Sequence, residues 1–405
     1  MSVSRRRPSI LICVLVVSVL GAVVATQRGL PAPPTFVAVH PIAAPATPLP
    51  SEAASAAVTR FSFIAYGDTR SSGILGEPGD GDRIHPEHSR LMDLMLASVK
   101  ERASSTFPIR FVLQSGDAVV RGQDAEGWNV SFSPIIERLT KGANLPYFFS
   151  AGNHDVTPMP QGDHGRALGL HNTLTAMSRL IPPEGAPRRL GGYLTYAFGY
   201  GNSFFIAFDS NIASDSLQLE WVTDQLERLD RGRYRHVIVF MHHPPFSSGP
   251  HGGASADPMP GTGDKAPDQL EPSTVAIRNL YMPLFRKHRV RMLLTGHDHL
   301  LDHFVERYTD AGVNYRMDAV VTGGGGAPIY RYVGEPDLRT YTALNAAQNV
   351  RVEHLMKPGP TVEDNPLHFL VVQVDGDRLS LEVVGIGPRA YAPYGGRARV
   401  TLDDR

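Results

Sequence analysis

The chain has 405 residues, of which 42% are hydrophobic, and 39 Lys and Arg stand against 40 Asp and Glu. A formal net charge of −1 gives no electrostatic case for nucleic-acid binding, and a single cysteine excludes both a disulfide framework and a thiolate metal site. The length admits two average domains, but one large double-layered fold of about 300 residues fits equally well.

In chain order, Arg5, Arg6 and Arg7 precede an apolar run from Ile10 to Ala25. Residues 1–26 therefore read as a signal peptide, with small residues at Val23-Val24-Ala25, or as an uncleaved N-terminal anchor. Cys13 lies inside this run and lacks the small residue that precedes a lipoprotein cysteine. Either reading places the protein outside the cytoplasm, as a periplasmic, secreted or membrane-anchored chain. Residues 27–58 are rich in Pro and Ala and predict an extended linker, followed by a main domain over 59–390 and a tail over 391–405.

Within the main domain, short apolar runs predict strands at 61–65, 109–115, 146–150, 236–241 and 290–295. Stretches 86–100, 215–229 and 273–287 have helical apolar spacing, as in Leu219, Val222, Leu226 and Leu229. This alternation predicts a largely parallel sheet with a ligand site at the carboxyl ends of its strands. The Gly- and Pro-rich stretch 249–272 predicts a loop over that site, and 335–366 an irregular segment at its rim. Final strands are expected at 368–375 and 379–385, and no internal repeat is present.

Each of the first five strands stops at a metal-type side chain. These are Asp68, Asp117, Asn153, His242, and the pair His297 and His299. Gly67, Gly116, Gly152 and Gly296 precede four of them, which predicts backbone freedom for a sharp exit from the sheet. Any one such segment reads most simply as a turn. Together they supply two carboxylates, one amide oxygen and three imidazoles, a set suited to Mn, Fe or Zn rather than to Ca or a Cys-bound structural Zn. Six donors exceed the needs of one four-coordinate ion. Two divalent or trivalent ions roughly 3.5–4 Å apart would share them and could clamp a phosphoryl group.

The ordered series Gly-Asp, Gly-Asp, Gly-Asn-His-Asp, His-His-Pro-Pro and Gly-His-Asp-His resembles that of the calcineurin-like metallophosphoesterase superfamily, and within it the purple-acid-phosphatase-like branch. The segments Tyr193–Phe198 and Phe204–Asp209, and the turn Val321–Pro328, resemble the same branch. The resemblance implies an α/β fold, a two-sheet β-sandwich flanked by helices with a dinuclear metal site at the strand ends. It implies that Asp117 bridges two ions, that Asn153, His242 and His297 complete one position, and that Asp68 and His299 serve the other. His154 would be a general acid or a substrate-positioning imidazole. The implied activity is hydrolysis of phosphate mono- or diesters by a metal-bound hydroxide, acting on small-molecule, nucleotide or phospholipid phosphates. A non-catalytic metal- or phosphate-binding protein, or a surface interaction protein on the same fold, is the alternative.

The sequence departs from the family pattern at two positions. Arg70 stands where many members carry a His, and Val120 where purple acid phosphatases carry a metal-binding Tyr. The Asp68 position is left with Asp68, Asp117 and His299, and is expected to be the weaker one. Arg70 cannot ligate a metal, so it is expected to pair with phosphate oxygens. His251, nine residues after His242, matches a substrate-facing His of plant purple acid phosphatases and is expected to protonate the leaving group. His85, His88, His164, His171 and His303 have no assigned role, and His303 is the one expected nearest the pocket.

Overall fold

A computed structural model describes residues 37–74, 77, 79–156, 163–252, 270–386 and 399–402. The predicted signal or anchor segment, most of the 249–272 loop and most of the 391–405 tail lie outside the described residues. Among the described residues no helix is long and apolar enough to cross a membrane.

Thirteen strands are described: β1 (Arg60–Tyr66), β2 (Ile109–Gln114), β3 (Tyr147–Phe149), β4 (Tyr196–Tyr200), β5 (Ser203–Ala207), β6 (His236–Phe240), β7 (Met292–Thr295), β8 (Leu301–Asp310), β9 (Val313–Thr322), β10 (Arg351–Met356), β11 (Leu367–Asp375), β12 (Arg378–Ile386) and β13 (Arg399–Leu402). They form two sheets, ordered β13-β12-β11-β1-β2-β3 and β10-β8-β9-β7-β6-β5-β4. The expected parallel pairing holds only in part of each sheet: at one end of the first and in the middle of the second. There β1, β2 and β3 run parallel, as do β5, β6, β7 and β9. Antiparallel hairpins extend both sheets, because Gly201-Asn202, Ala311-Gly312 and Gly376-Asp377 are too short to house a crossover.

Aromatic rings join the two layers. Phe63 of β1 stacks on Phe111 of β2 at 5.3 Å, and Phe205 of β5 meets Phe111 edge-on at 5.1 Å. Such pairs add about 0.5–1.5 kcal/mol each beyond the burial of their area. Helices cover the outer faces. Pro86–Arg102 lies over the first sheet through Leu91, Met92 and Met95. Ser216–Glu227 and the helical run that begins at Pro272 and ends at Lys287 pack Val222, Leu226, Tyr281 and Phe285 on the outer face of the second. The result is two mixed sheets flanked by helices, an α/β sandwich.

Two segments differ from their expected character. Residues 38–58 do not form an extended spacer. Val39, Ile42 and Ser55 are buried, and the backbone N–H groups of His40 and Thr47 donate to Asn129 and Asn144, each at 2.9 Å. The carboxylate of Glu52 accepts from Arg188 Nε at 2.6 Å and from the Tyr234 hydroxyl at 2.7 Å. Proline disfavours helix and sheet ladders here, yet it does not prevent side chains from packing on an existing surface. Likewise the 335–366 stretch is ordered: Arg339–Leu344 is helical and β10 pairs with β8 as the sheet edge. Its Tyr341 joins Arg286 and Glu306 in a buried hydrogen-bonded ion pair.

His303 also proves structural. Its imidazole lies 2.7 Å from Asp318 Oδ1 inside the β8–β9 pair, where Arg291 and Arg316 share the same carboxylate.

Candidate metal centre

The strand ends bring the predicted donors together from both sheets. Asp68, Asp117 and Asn153 follow β1, β2 and β3, while His242, His297 and His299 follow β6 and β7. The turns are strained where the donors sit: Asp68, Asp117 and His297 have φ of 60°, 56° and 72°, a region few non-glycine residues adopt. The predicted need for glycine is partly conformational, since Gly116 has φ of 100°. At Gly152 and Gly296 the need is steric instead. A Cβ on Gly152 would overlap Asp117, and one on Gly296 would overlap the Asp68 carboxylate. A residue with no assigned role, Asp155, fixes this geometry. Its carboxylate accepts the backbone N–H groups of Asp117 and Gly152 at 2.8 Å, Ala118 at 2.9 Å and Val119 at 3.4 Å.

Four donor atoms converge on one point. His242 Nε2 lies 2.9 Å from Asn153 Oδ1, 3.1 Å from His297 Nδ1 and 3.4 Å from Asp117 Oδ1. The outward nitrogen of each imidazole is tied down. His242 Nδ1 meets the Ser115 carbonyl at 2.9 Å, His299 Nδ1 meets the Pro328 carbonyl at 2.8 Å, and His297 Nε2 meets Glu271 Oε2 at 2.9 Å. Each outward N–H thus donates to an oxygen and the lone pair is left pointing inward, the arrangement typical of metal-binding histidines. This donor set fits a metal ion.

The charge balance points the same way. Burial first, and then the neighbouring Asp117 carboxylate, pushes Asp68 well above the usual carboxylate range. Burial also works against ionised Asp117, but His242, His154 and Arg70 outweigh it and hold its carboxyl below that range. Two buried carboxylates divided in this way need more positive charge than Arg70 alone supplies for both to ionise. Burial also lowers the imidazoles, His297 to about 4 despite Glu271, so each is in the neutral form that ligates a metal.

The Asp68 position is less complete. His299 Nε2 lies 3.6 Å from Asp68 Oδ1, and Arg70 enters beside them. Arg70 Nε is 3.3 Å from Asp117 Oδ2 and its Nη2 is 3.4 Å from His299 Nε2. Tyr330 stacks on His299 at 4.2 Å and walls this side.

Both predicted proton-handling imidazoles reach the site. The backbone N–H of His154 donates to Asp117 Oδ1 at 2.9 Å, and its Nδ1 lies 2.7 Å from the carbonyl of Val120. Val120, whose side chain offers no ligand, therefore contributes through its backbone carbonyl. His154 Nε2 faces Asp117 Oδ2 at 3.9 Å, and burial brings this imidazole down to about 4. The His251 ring lies 4.1 Å from that of His297, with Nδ1 2.9 Å from Glu271 Oε1.

Glu271 is the residue that sequence reading missed. It links His297 and His251, and it lies 3.7 Å from His243 Nε2. Its only sequence signal is an acid placed before Pro272 at a helix start, which is common in proteins generally. Because Glu271 orients a donor histidine, Glu271→Ala is expected to weaken Mn(II) affinity by about 10–100-fold. Calorimetric titration measures this, and unchanged affinity would remove Glu271 from the centre.

Residues 84–301, more than half of the chain, match the calcineurin-like phosphoesterase family, and the chain belongs to it. This is a family of phosphoric-ester hydrolases with a dinuclear metal centre. Within it the chain resembles purple acid phosphatases. Purple acid phosphatase 1 of Ipomoea batatas is 23% identical over 269 residues, covering 65% of this chain and 49% of that protein. Purple acid phosphatase PPD1 from yellow lupin (Lupinus luteus) seeds has the same fold, with a TM-score of 0.53 and 16% identity over 86% of this chain and 55% of that one. GAP50, the anchor in the inner membrane complex of Plasmodium, gives a TM-score of 0.46 and 12% identity, over 86% of this chain and 90% of that one. The chain spans about half the length of the two purple acid phosphatases.

Proposed function

We propose that this protein is an exported metal-dependent phosphoesterase that hydrolyses phosphate mono- or diesters. The observation that carries this reading is the convergence of Asp117, Asn153, His242 and His297 on one point, with every imidazole tied through its outer nitrogen. When bound, an ion of the Mn, Fe or Zn type supplies Lewis acidity toward a phosphoryl oxygen and acidifies water, so no Ser or Cys nucleophile is required.

The chain's own groups bind the ester and handle its protons. Arg70 engages Asp117 through Nε, the Ser71 carbonyl through Nη1 and His299 through Nη2. Each terminal nitrogen keeps a second N–H with which to grip phosphate oxygens. His251 gives its Nδ1 proton to Glu271, which fixes the ring, and in the imidazolium form Nε2 carries a second proton that can pass to the leaving oxygen. His154 is held by Asp117 and Val120 beside the same centre and positions the ester. A cleft of about 820 Å³ lined by Ser72, His85, Arg90, Pro328, Val362 and Leu367 adjoins the site at Pro328 and has room for the rest of a nucleotide, phospholipid headgroup or other small-molecule ester. Export, with or without a membrane tether, is supported by the basic and apolar N-terminal run.

The test is metal removal. Chelated and desalted protein is expected to lose hydrolysis of an aryl phosphate and an aryl phosphodiester, and to regain it with Mn(II) or Zn(II). Full activity in metal-stripped protein would overturn the proposal.

A further inference from the structure

We infer that the guanidinium of Arg70 acts as the resident cation of the Asp68 position, so that the centre holds one metal ion tightly and admits a second only by displacing Arg70. This rests on the metal-dependent reading above and specifies the ion count of that same site.

The two donor atoms that a metal at the Asp68 position would share with Arg70 are Asp117 Oδ2 and His299 Nε2. Asp117 Oδ1 is already committed, since it accepts the His154 N–H and faces His242. Its other oxygen, Oδ2, has Arg70 Nε at 3.3 Å. His299 gives its Nδ1 proton to the Pro328 carbonyl, so Nε2 carries the lone pair, and Arg70 Nη2 lies 3.4 Å from it. A guanidinium has only N–H donors and does not deprotonate in proteins. It therefore satisfies the same lone pairs that a metal would use, and it brings a fixed positive charge to a place where two carboxylates are buried together.

Arg70 is also built into this position. Its backbone N–H donates to the Asp117 carbonyl at 3.1 Å, its Nη1 donates to the Ser71 carbonyl at 3.1 Å, and its side chain is only 11% exposed. A metal entering beside Asp68 would face both the loss of two lone pairs and the repulsion of this buried charge. At the other position no Lys or Arg side chain among the described residues intervenes: Asn153, His242, His297 and Asp117 Oδ1 face one another directly.

The experiment reads metal content and needs no substrate. Full-length protein is loaded with excess Mn(II), passed through a desalting column and measured by elemental analysis and electron paramagnetic resonance. Wild type is expected to retain one Mn(II) per chain with the signal of a magnetically isolated ion, and to bind a second at least 100-fold more weakly in calorimetry. Arg70→Ala is expected to retain two, with the signal of a coupled pair. Two tightly held ions in wild type would overturn the inference whether or not the variant folds. So would a folded Arg70→Ala protein that still holds one. A metal-loaded protein that cleaves no ester would instead overturn the proposed function while leaving the ion count intact.

Discussion

Asp117→Asn is expected to lower turnover of an aryl phosphate on the order of 10³-fold, while the circular-dichroism spectrum stays that of wild type. The two side chains have nearly the same shape, so the loss is electronic. One Asp117 oxygen accepts the His154 N–H and faces His242, and the other faces Arg70 and His154 Nε2. An amide nitrogen at either place sets an N–H against an N–H and removes the negative charge around which the donors are arranged. Turnover, Michaelis constant and metal content measured together check this. Wild-type turnover in the Asn variant would show that Asp117 does not organise the centre.

Asp155→Ala should be the most damaging substitution that does not touch a donor. Four backbone N–H groups end on this one carboxylate, and they belong to the two loops that carry Asp117 and Asn153. Removing the acceptor leaves buried backbone N–H groups unpaired, at a cost of about 1–3 kcal/mol for each group left unsatisfied. Both the melting temperature and Mn(II) retention are expected to fall, because left-handed turns at Asp117 lose what holds them. Calorimetry reads the first and elemental analysis the second. A variant that melts within about 1 °C of wild type and keeps its metal would show that the loops hold themselves.

The side chains that converge at the strand ends were legible because each of their five segments follows a hydrophobic strand, four of them at a glycine-marked turn, a pattern that survives without knowledge of tertiary contacts. The strands and main helices were legible for the same reason, through their apolar periodicity. What sequence could not give was whatever depends on backbone atoms or on distant partners. The Ser115, Val120 and Pro328 carbonyls orient three histidines, and a carbonyl leaves no trace in residue identity. Glu271 stands outside every motif and reaches His297 only through tertiary folding. Residues 38–58 looked like a spacer because composition reports local conformational preference, not whether a groove exists to receive Ile42. Arg70 was assigned to phosphate because its fork suits phosphate oxygens, and within the folded chain that fork meets the Ser71 carbonyl, Asp117 and His299.

The candidate donors come from both sheets: Asp68, Asp117 and Asn153 from the strand ends of one, and His242, His297 and His299 from the strand ends of the other. An ion held by both groups is therefore a cross-link between two layers that are otherwise joined by side-chain packing and by hydrogen bonds such as those of Tyr196 to Phe149 and His242 to Ser115. Its binding energy becomes part of the cohesion of the sandwich, about 2.7 kcal/mol when free metal stands at 100 times the dissociation constant. Resistance to heat and proteolysis will then track metal supply, and a chain that folds in a metal-poor compartment and is later loaded would tighten only on arrival.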